Sequence, residues 1–337
     1  MQKNQWSFID AWNKSIPNNK EREIVPRDYI YASELGKAPI DIFLRMKGIK
    51  PTNPPNDRSR RKFEAGNVWE WIVRLILVRA GILQKSQEPV SFQYEGLQRV
   101  SGRLDFVAGG KPDYEKALKE IEALDLPDVF LRGFENIIKY LQENYPDGLD
   151  SRVLEVKSVS AFMFNGLEAN NKSSKNHRLQ NFHYLKSLGM REGSIVYVCR
   201  DDCRMLEVPV FNPSFVEEEY KEEIEKISRA YQTDTQPDPE KPIIFDEDTQ
   251  KFSKNWKIAY SDYLTMIYGF KDQKEFDDKY VGMVSKWNRV IGRIKKGDKM
   301  TPKNEETIKE IREAGYDIDE IIKKFSVVAE EEELTTI

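Results

Sequence analysis

The sequence predicts an α/β protein, with short strands threaded between amphipathic helices. Three stretches carry that prediction. Val153 to Ser160 (VLEVKSVS) mixes apolar and polar positions as a strand beside a buried sheet does, and Val100 to Ala108 (VSGRLDFVA) reads as a second strand. Between them, Lys111 to Ser151 places Leu118, Ile121 and Leu124, then Ile137, Ile138 and Leu141, at helical spacing, which marks a helical insertion at about 111–151.

Taken in order, residues 1–30 open with a helix-like WSFIDAWNK and continue through a polar stretch holding Pro17 and Pro26. Tyr31 to Lys50 reads as a helical segment with Ser33 as its N-cap. After a loop at Pro51 to Asp57, a helix is expected from about Arg60 to Ala80, with Phe63, Val68, Trp71, Leu75 and Val78 toward a core and Glu70 among them. Arg58, Arg60, Arg61 and Lys62 form a basic cluster at its start, either a solvated helix end or a set of phosphate contacts. Gln87 to Tyr94 is expected as a strand paired with the one that carries Asp105. Ala161 to Asn176 is polar and contains glycine. His177 and His183 read as packed or surface residues, not ligands.

A proline-containing polar stretch (QTDTQPDPEK) sets the boundary: residues 1–230 as the core, 231–243 as a linker, and 244–337 as a helical region packing on the core. Near the end, Thr301, Pro302 and Glu305 open a helix and Gly315 closes it, followed by a second short helix and an acidic tail at Glu330 to Glu333. The second helix carries Asp317, Asp319 and Glu320, which phosphates repel, so this hairpin is a structural or partner-binding element.

The chemistry starts from Glu155 and Lys157. Two apart on a strand, they project from one face, with Leu154 and Val156 on the other. By themselves they describe a cross-charge surface pair as readily as a site. Asp105 changes the balance, because a carboxylate inside an apolar run is costly to bury unless it is paired or holds a metal. Asp105 beside Glu155 supplies the oxygen donors that a hard divalent cation prefers, and an ammonium next to that ion orients the attacking water. This is phosphodiester-hydrolysis chemistry.

Composition is compatible with that reading. A net charge of −4 means that nucleic-acid binding must come from local patches. No run approaches the roughly 18 apolar residues of a membrane span, and the N-terminus lacks an apolar signal core, so the expectation is a cytoplasmic protein with no membrane partner. Cys199 and Cys203 are too few for a disulfide framework or a four-cysteine metal site and read as reduced thiols near a strand end.

The D…E-x-K arrangement on adjacent strands resembles the PD-(D/E)XK nuclease superfamily, and three flanking signals point to its RecB-like exonuclease group. Gly66 and Glu70 in FEAGNVWEWIV match a G-x-x-x-E helix, and Gln180 and Tyr184 in RLQNFHYLKSLG match a Q-x-x-x-Y helix. The strand at Ser194 to Asp202 follows in the order that the group shows, so the resemblance covers roughly residues 30–210. It implies a restriction-endonuclease-like core, a central mixed sheet flanked by helices. It also implies Mg2+- or Mn2+-dependent hydrolysis of DNA, by an exonuclease rather than an endonuclease. Glu70, Asp105, Glu155 and the Val156 carbonyl would hold the metal, Lys157 would orient water, and Gln180 and Tyr184 would contact substrate together with Arg58, Arg60 and Arg61. Iron–sulfur relatives carry cysteines where this chain has Ala38, Ile258 and Ser261, so no iron–sulfur cluster is expected. A rival reading keeps the fold as a catalytically silent nucleic-acid-binding or scaffold protein. A protein partner for the insertion or the C-terminal hairpin is left open.

Overall fold

The structure, a computed structural model, describes residues 24–123, 127–246 and 249–323. The expected N-terminal helix, Leu124 and the acidic tail lie outside these residues. The chain divides into two compact units, one built from the chain up to Lys50 with Pro54–Pro237, the other from Pro51–Asn53 with the chain from Asp238 onward. No helix among the described residues is long and apolar enough to cross a membrane.

The first unit begins with β1 (Tyr29–Tyr31), a 3-10 turn at Ala32–Glu34, α1 (Pro39–Met46) and α2 (Asp57–Arg79). Ser33, expected to cap a helix, lies inside the 3-10 turn. The next helix starts later, because Pro39 fits the first helical position and Ala38 precedes it as N-cap. Two extended segments follow: β2 (Leu83–Ser86) with β3 (Pro89–Phe92), then β4 (Arg99–Arg103) with β5 (Phe106–Gly110). The expected single strand at 100–108 is therefore two strands. β4 pairs with β1 and β3 in a three-stranded sheet, whereas β5 pairs with β2 and β6 in a five-stranded one. Both segments turn from one sheet to the other together, at Gln87 and at Leu104–Asp105. Gln87 takes a φ of 55°, and its N–H donates to the Asp105 carbonyl at 3.1 Å.

The insertion is helical, as its periodicity predicts: α3 (Tyr114–Glu122) and α4 (Asp128–Asn144) precede the central strand β6 (Leu149–Val159). A parallel crossover through α5 (Ala161–Asn170) and α6 (Lys175–Leu188) leads to β7 (Glu192–Cys199), and β8 (Met205–Phe211) and α7 (Ser214–Gln232) complete the unit. The strand order β2-β5-β6-β7-β8 mixes parallel and antiparallel neighbours, so the central sheet is mixed. Alternation along the strands gives it two apolar faces. One buries Val153, Val159, Ile195 and Tyr197 under α6 and α7. The other buries Phe106, Val156 and Val198 under Leu77 of α2 and the insertion's Ile121, Ile138 and Leu141. The insertion thus covers the core.

Two expectations change. In α2, Leu75 packs on the core as expected, but Phe63, Val68, Trp71 and Val78 are exposed, Trp71 by 63%, while Trp69, Val73, Ile76 and Leu77 face inward in their place. The helix carries apolar residues on more than one face, and periodicity alone picked the exposed one for all but Leu75. The polar stretch after β6 forms α5, with Ser160 as its cap.

The second unit is not wholly helical. It opens with a hairpin of β9 (Ile243–Asp246) and β10 (Lys251–Lys254), followed by α8 (Trp256–Ala259), α9 (Leu264–Tyr268), α10 (Gln273–Lys295) and α11 (Pro302–Glu313). Phe252 packs with Trp287, Ile291, Ile311 and Ile318. Ile258 and Leu264 pack with Phe270 and Phe276 inside this unit. Thr301 accepts from the Asn304 N–H and Gly315 takes a φ of 81° at the helix end.

Candidate active site

Strand β6 presents Glu155 and Lys157 on one face, and the Lys157 ammonium donates to Glu155 Oε1 at 2.5 Å. Asp105, at the corner between β4 and β5, accepts the Val156 N–H at 2.9 Å through Oδ2. The corner is what brings it there: a continued strand would have kept Asp105 in the ladder, whereas the sheet switch swings its carboxylate onto the central strand. Glu70 reaches the group from α2, where its Oε1 accepts from Gln87 Nε2. The same Gln87 amide also hydrogen-bonds Asp105.

The electrostatics follow from burial. Glu155 is 1% exposed, and burial first, then Asp105, push its carboxyl up to about 8 against the pull of Lys157. Burial raises Asp105 too, opposed by Lys157 and the Val156 amide. Glu70 is raised by burial and by Asp105. Burial lowers Lys157, but Glu155 and Asp105 outweigh it and hold the ammonium above its ordinary value.

Three acids therefore share one region with Lys157, and no N–H or O–H donor among the described residues reaches the buried Glu155 Oε2. Among the described residues, no three His, Cys, Asp or Glu side chains converge as a ready-made metal cage. Gln87 holds Glu70 instead. Excess negative charge, oxygen-only donors and an orphaned carboxylate oxygen are nonetheless the chemistry that a divalent cation such as Mg2+ or Mn2+ fits.

Gln180 and Tyr184 are buried, at 8% and 1% exposure. Gln180 Nε2 donates to Tyr184 Oη at 2.9 Å, and that hydroxyl donates to the Arg103 carbonyl at 3.0 Å. They brace the strand that ends two residues before Asp105. Neither side chain lies on the exposed face of the helix. Gly102 makes this contact tight: a side-chain carbon there would lie 2.8 Å from Tyr184 Cε1 and 2.9 Å from Ala32 Cβ.

Arg60 pairs with Asp57 within the first turn of α2, and Arg58 and Arg61 are exposed there. Arg58 stands about 18 Å along the helix from Glu70. His183 is buried with Nδ1 2.8 Å from Tyr220 Oη, and His177 Nδ1 lies 3.1 Å from Tyr197 Oη. Burial holds both imidazoles neutral, lowering them to about 4 and about 3. Gln87 is the site residue that sequence reasoning missed. Its signal was a polar residue before Glu88 and Pro89, where a strand would have to break.

No protein-family model matches the chain, and no curated protein matches it. Among solved structures, SSO0001 is similar at 12% identity and a TM-score of 0.43, over 78% of this chain and 96% of that one. LHK-Exo in complex with dAMP is similar at 11% identity and a TM-score of 0.39, over 62% and 90%. The alkaline exonuclease LHK-Exo from Laribacter hongkongensis gives 10%, 0.37, 62% and 90% in a second structure.

Proposed function

We propose that this protein is a divalent-metal-dependent nuclease that hydrolyses DNA phosphodiesters, acting from ends as an exonuclease. The observation that carries the proposal is the buried Glu155–Lys157 pair with Asp105 joined to the intervening Val156 amide. A structural ion pair has no use for a second and third acid pressed against it, since each raises the cost of ionising its neighbour. A bound dication removes that cost.

Glu70, Asp105, Glu155 and the Val156 carbonyl would hold Mg2+ or Mn2+, which polarises the phosphoryl oxygen and acidifies water when bound. Lys157, fixed in its charged form, orients the attacking water and stabilises the charge that builds on the phosphate. Gln180 and Tyr184 act through the strand they brace, holding Asp105 in place for this work.

The test is incubation of the purified protein with end-labelled single- and double-stranded DNA, with Mg2+, Mn2+ or chelator. Cleavage that needs metal and disappears in Asp105→Ala and Lys157→Ala is the expected result. Tight binding without cleavage would show the silent scaffold instead. Comparing linear with closed circular DNA separates end-dependent action from internal cleavage.

A further inference from the structure

The stripe of α2 that carries Glu70 also carries basic residues leading away from the acids. Arg58, Lys62, Gly66 and Glu70 are four apart and line one side of the helix. At Gly66 this side meets the end of β6, where a side-chain carbon on the glycine would lie 4.0 Å from Ser158 Cβ. Lys62 and Arg58 then stand about 12 and about 18 Å from Glu70, at about 1.5 Å per residue.

Two further groups sit where β6 runs out. The Arg200 N–H donates to the Val159 carbonyl at 3.0 Å, and its Nη1 lies 3.5 Å from the Ser158 carbonyl. The Ala161 N–H donates to Asp201 Oδ2 at 2.7 Å, which ties the first turn of α5 to the same place. Burial, Arg200 and Arg58 lower the Lys62 ammonium, with Asp201 opposing, so both guanidinium groups lie near Lys62. On that turn Phe162 is 92% exposed, the highest value of any large apolar side chain among the described residues.

Separately, a basic helix start is usually a solvated end and a lone exposed aromatic needs no explanation. Together they lie in line with the catalytic strand, just past Lys157, and their charge suits a polyanion. We infer that this stripe is a lane for a single strand of DNA, with Arg58, Lys62 and Arg200 on its phosphates and Phe162 stacked on an unpaired base. Base pairs inside a duplex are stacked on both sides and have no open face for Phe162, so the ring selects unpaired DNA over duplex interior. The inference rests on the nuclease reading for the lane's direction, but binding alone tests it.

The experiment is fluorescence anisotropy in chelator, with labelled oligo-dT and a blunt duplex as probes. Phe162→Ala is expected to weaken oligo-dT binding about tenfold and to leave the duplex unchanged. Because the ring is exposed, its removal leaves the core intact. Lys62→Gln and Arg200→Gln should each lower the salt dependence of oligo-dT binding by about 0.7 in log–log slope. Phe162→Ala that binds oligo-dT like the parent, or that loses both probes equally, overturns the lane. A parent protein that shows the expected binding but never cleaves with Mg2+ or Mn2+ keeps the lane and sinks the nuclease reading.

Discussion

Gln87 and Asp105 face each other at the corner where two neighbouring strands leave one sheet for another, joined by the Gln87 N–H and the Asp105 carbonyl at 3.1 Å. The Gln87 side chain then reaches Glu70 and the Asp105 carboxylate. One residue thus holds the backbone of Asp105 and the side chains of two of the three acids.

Gln87→Ala should therefore weaken metal-dependent cleavage about 10- to 100-fold, the usual effect of removing a group that orients metal ligands. The Mn2+ concentration for half-maximal activity should rise with it. Activity titrated against Mn2+ checks this, and an unchanged midpoint would leave Gln87 with a structural role only.

Glu155 makes the metal-free protein sensitive to pH. Its folded carboxyl is raised to about 8, so the native state keeps a proton that the unfolded chain releases. Where the native state binds more protons, stability falls as pH rises. The loss runs from the ordinary carboxylate range up to about 8 and then levels off. Glu155→Gln should flatten that slope and leave the chelated protein more stable at alkaline pH, by on the order of a few kcal/mol. Added Mg2+ should stabilise the parent most in that same alkaline range. Thermal melts at about pH 5 and about pH 9, with and without metal, distinguish these outcomes.

The strand patterns made β6 and the helical insertion legible, because alternation and helical spacing report burial directly. The corner at Gln87 and Asp105 was not legible. A strand that changes sheets keeps its local pattern, and only the positive φ at Gln87 betrays the break. The core-facing side of α2 was misread because its exposed face is also apolar at Phe63, Val68 and Trp71. The hairpin of the second unit was missed because two four-residue strands are too short to show a period. Of the site, spacing revealed that Glu155 and Lys157 share a face. That Tyr184 points inward to the Arg103 carbonyl depended on packing from a segment some 80 residues away, a separation of 81.

The brace between Tyr184 and the strand before Asp105 is testable by itself. Tyr184→Phe removes the donor to the Arg103 carbonyl and the acceptor for Gln180, and should destabilise the protein by about 1–3 kcal/mol. Gly102→Ala should cost about as much or more, since its new methyl meets both the Tyr184 ring and Ala32 below 3 Å. Denaturant midpoints measure both. If the brace positions Asp105, activity in Tyr184→Phe should fall even where the protein remains folded.

Lys157→Met separates a catalytic ammonium from a structural one. In the parent, the ammonium draws Glu155 toward its charged form. Without it, burial and Asp105 act unopposed and the Glu155 carboxyl rises further, so the fold escapes an uncompensated buried charge by keeping the proton. Stability of the chelated protein should therefore change little at neutral pH, since a neutral acid beside an apolar chain is tolerated. Cleavage should fall about 10²- to 10³-fold, the scale of losing one preorganised electrostatic contact to the transition state. The residual activity should need a more alkaline medium, because metal binding now competes with a more tightly held proton. A large loss of stability with proportionate loss of activity would instead mark Lys157 as a packing partner, and the pH–rate profile of the folded variant decides between the two.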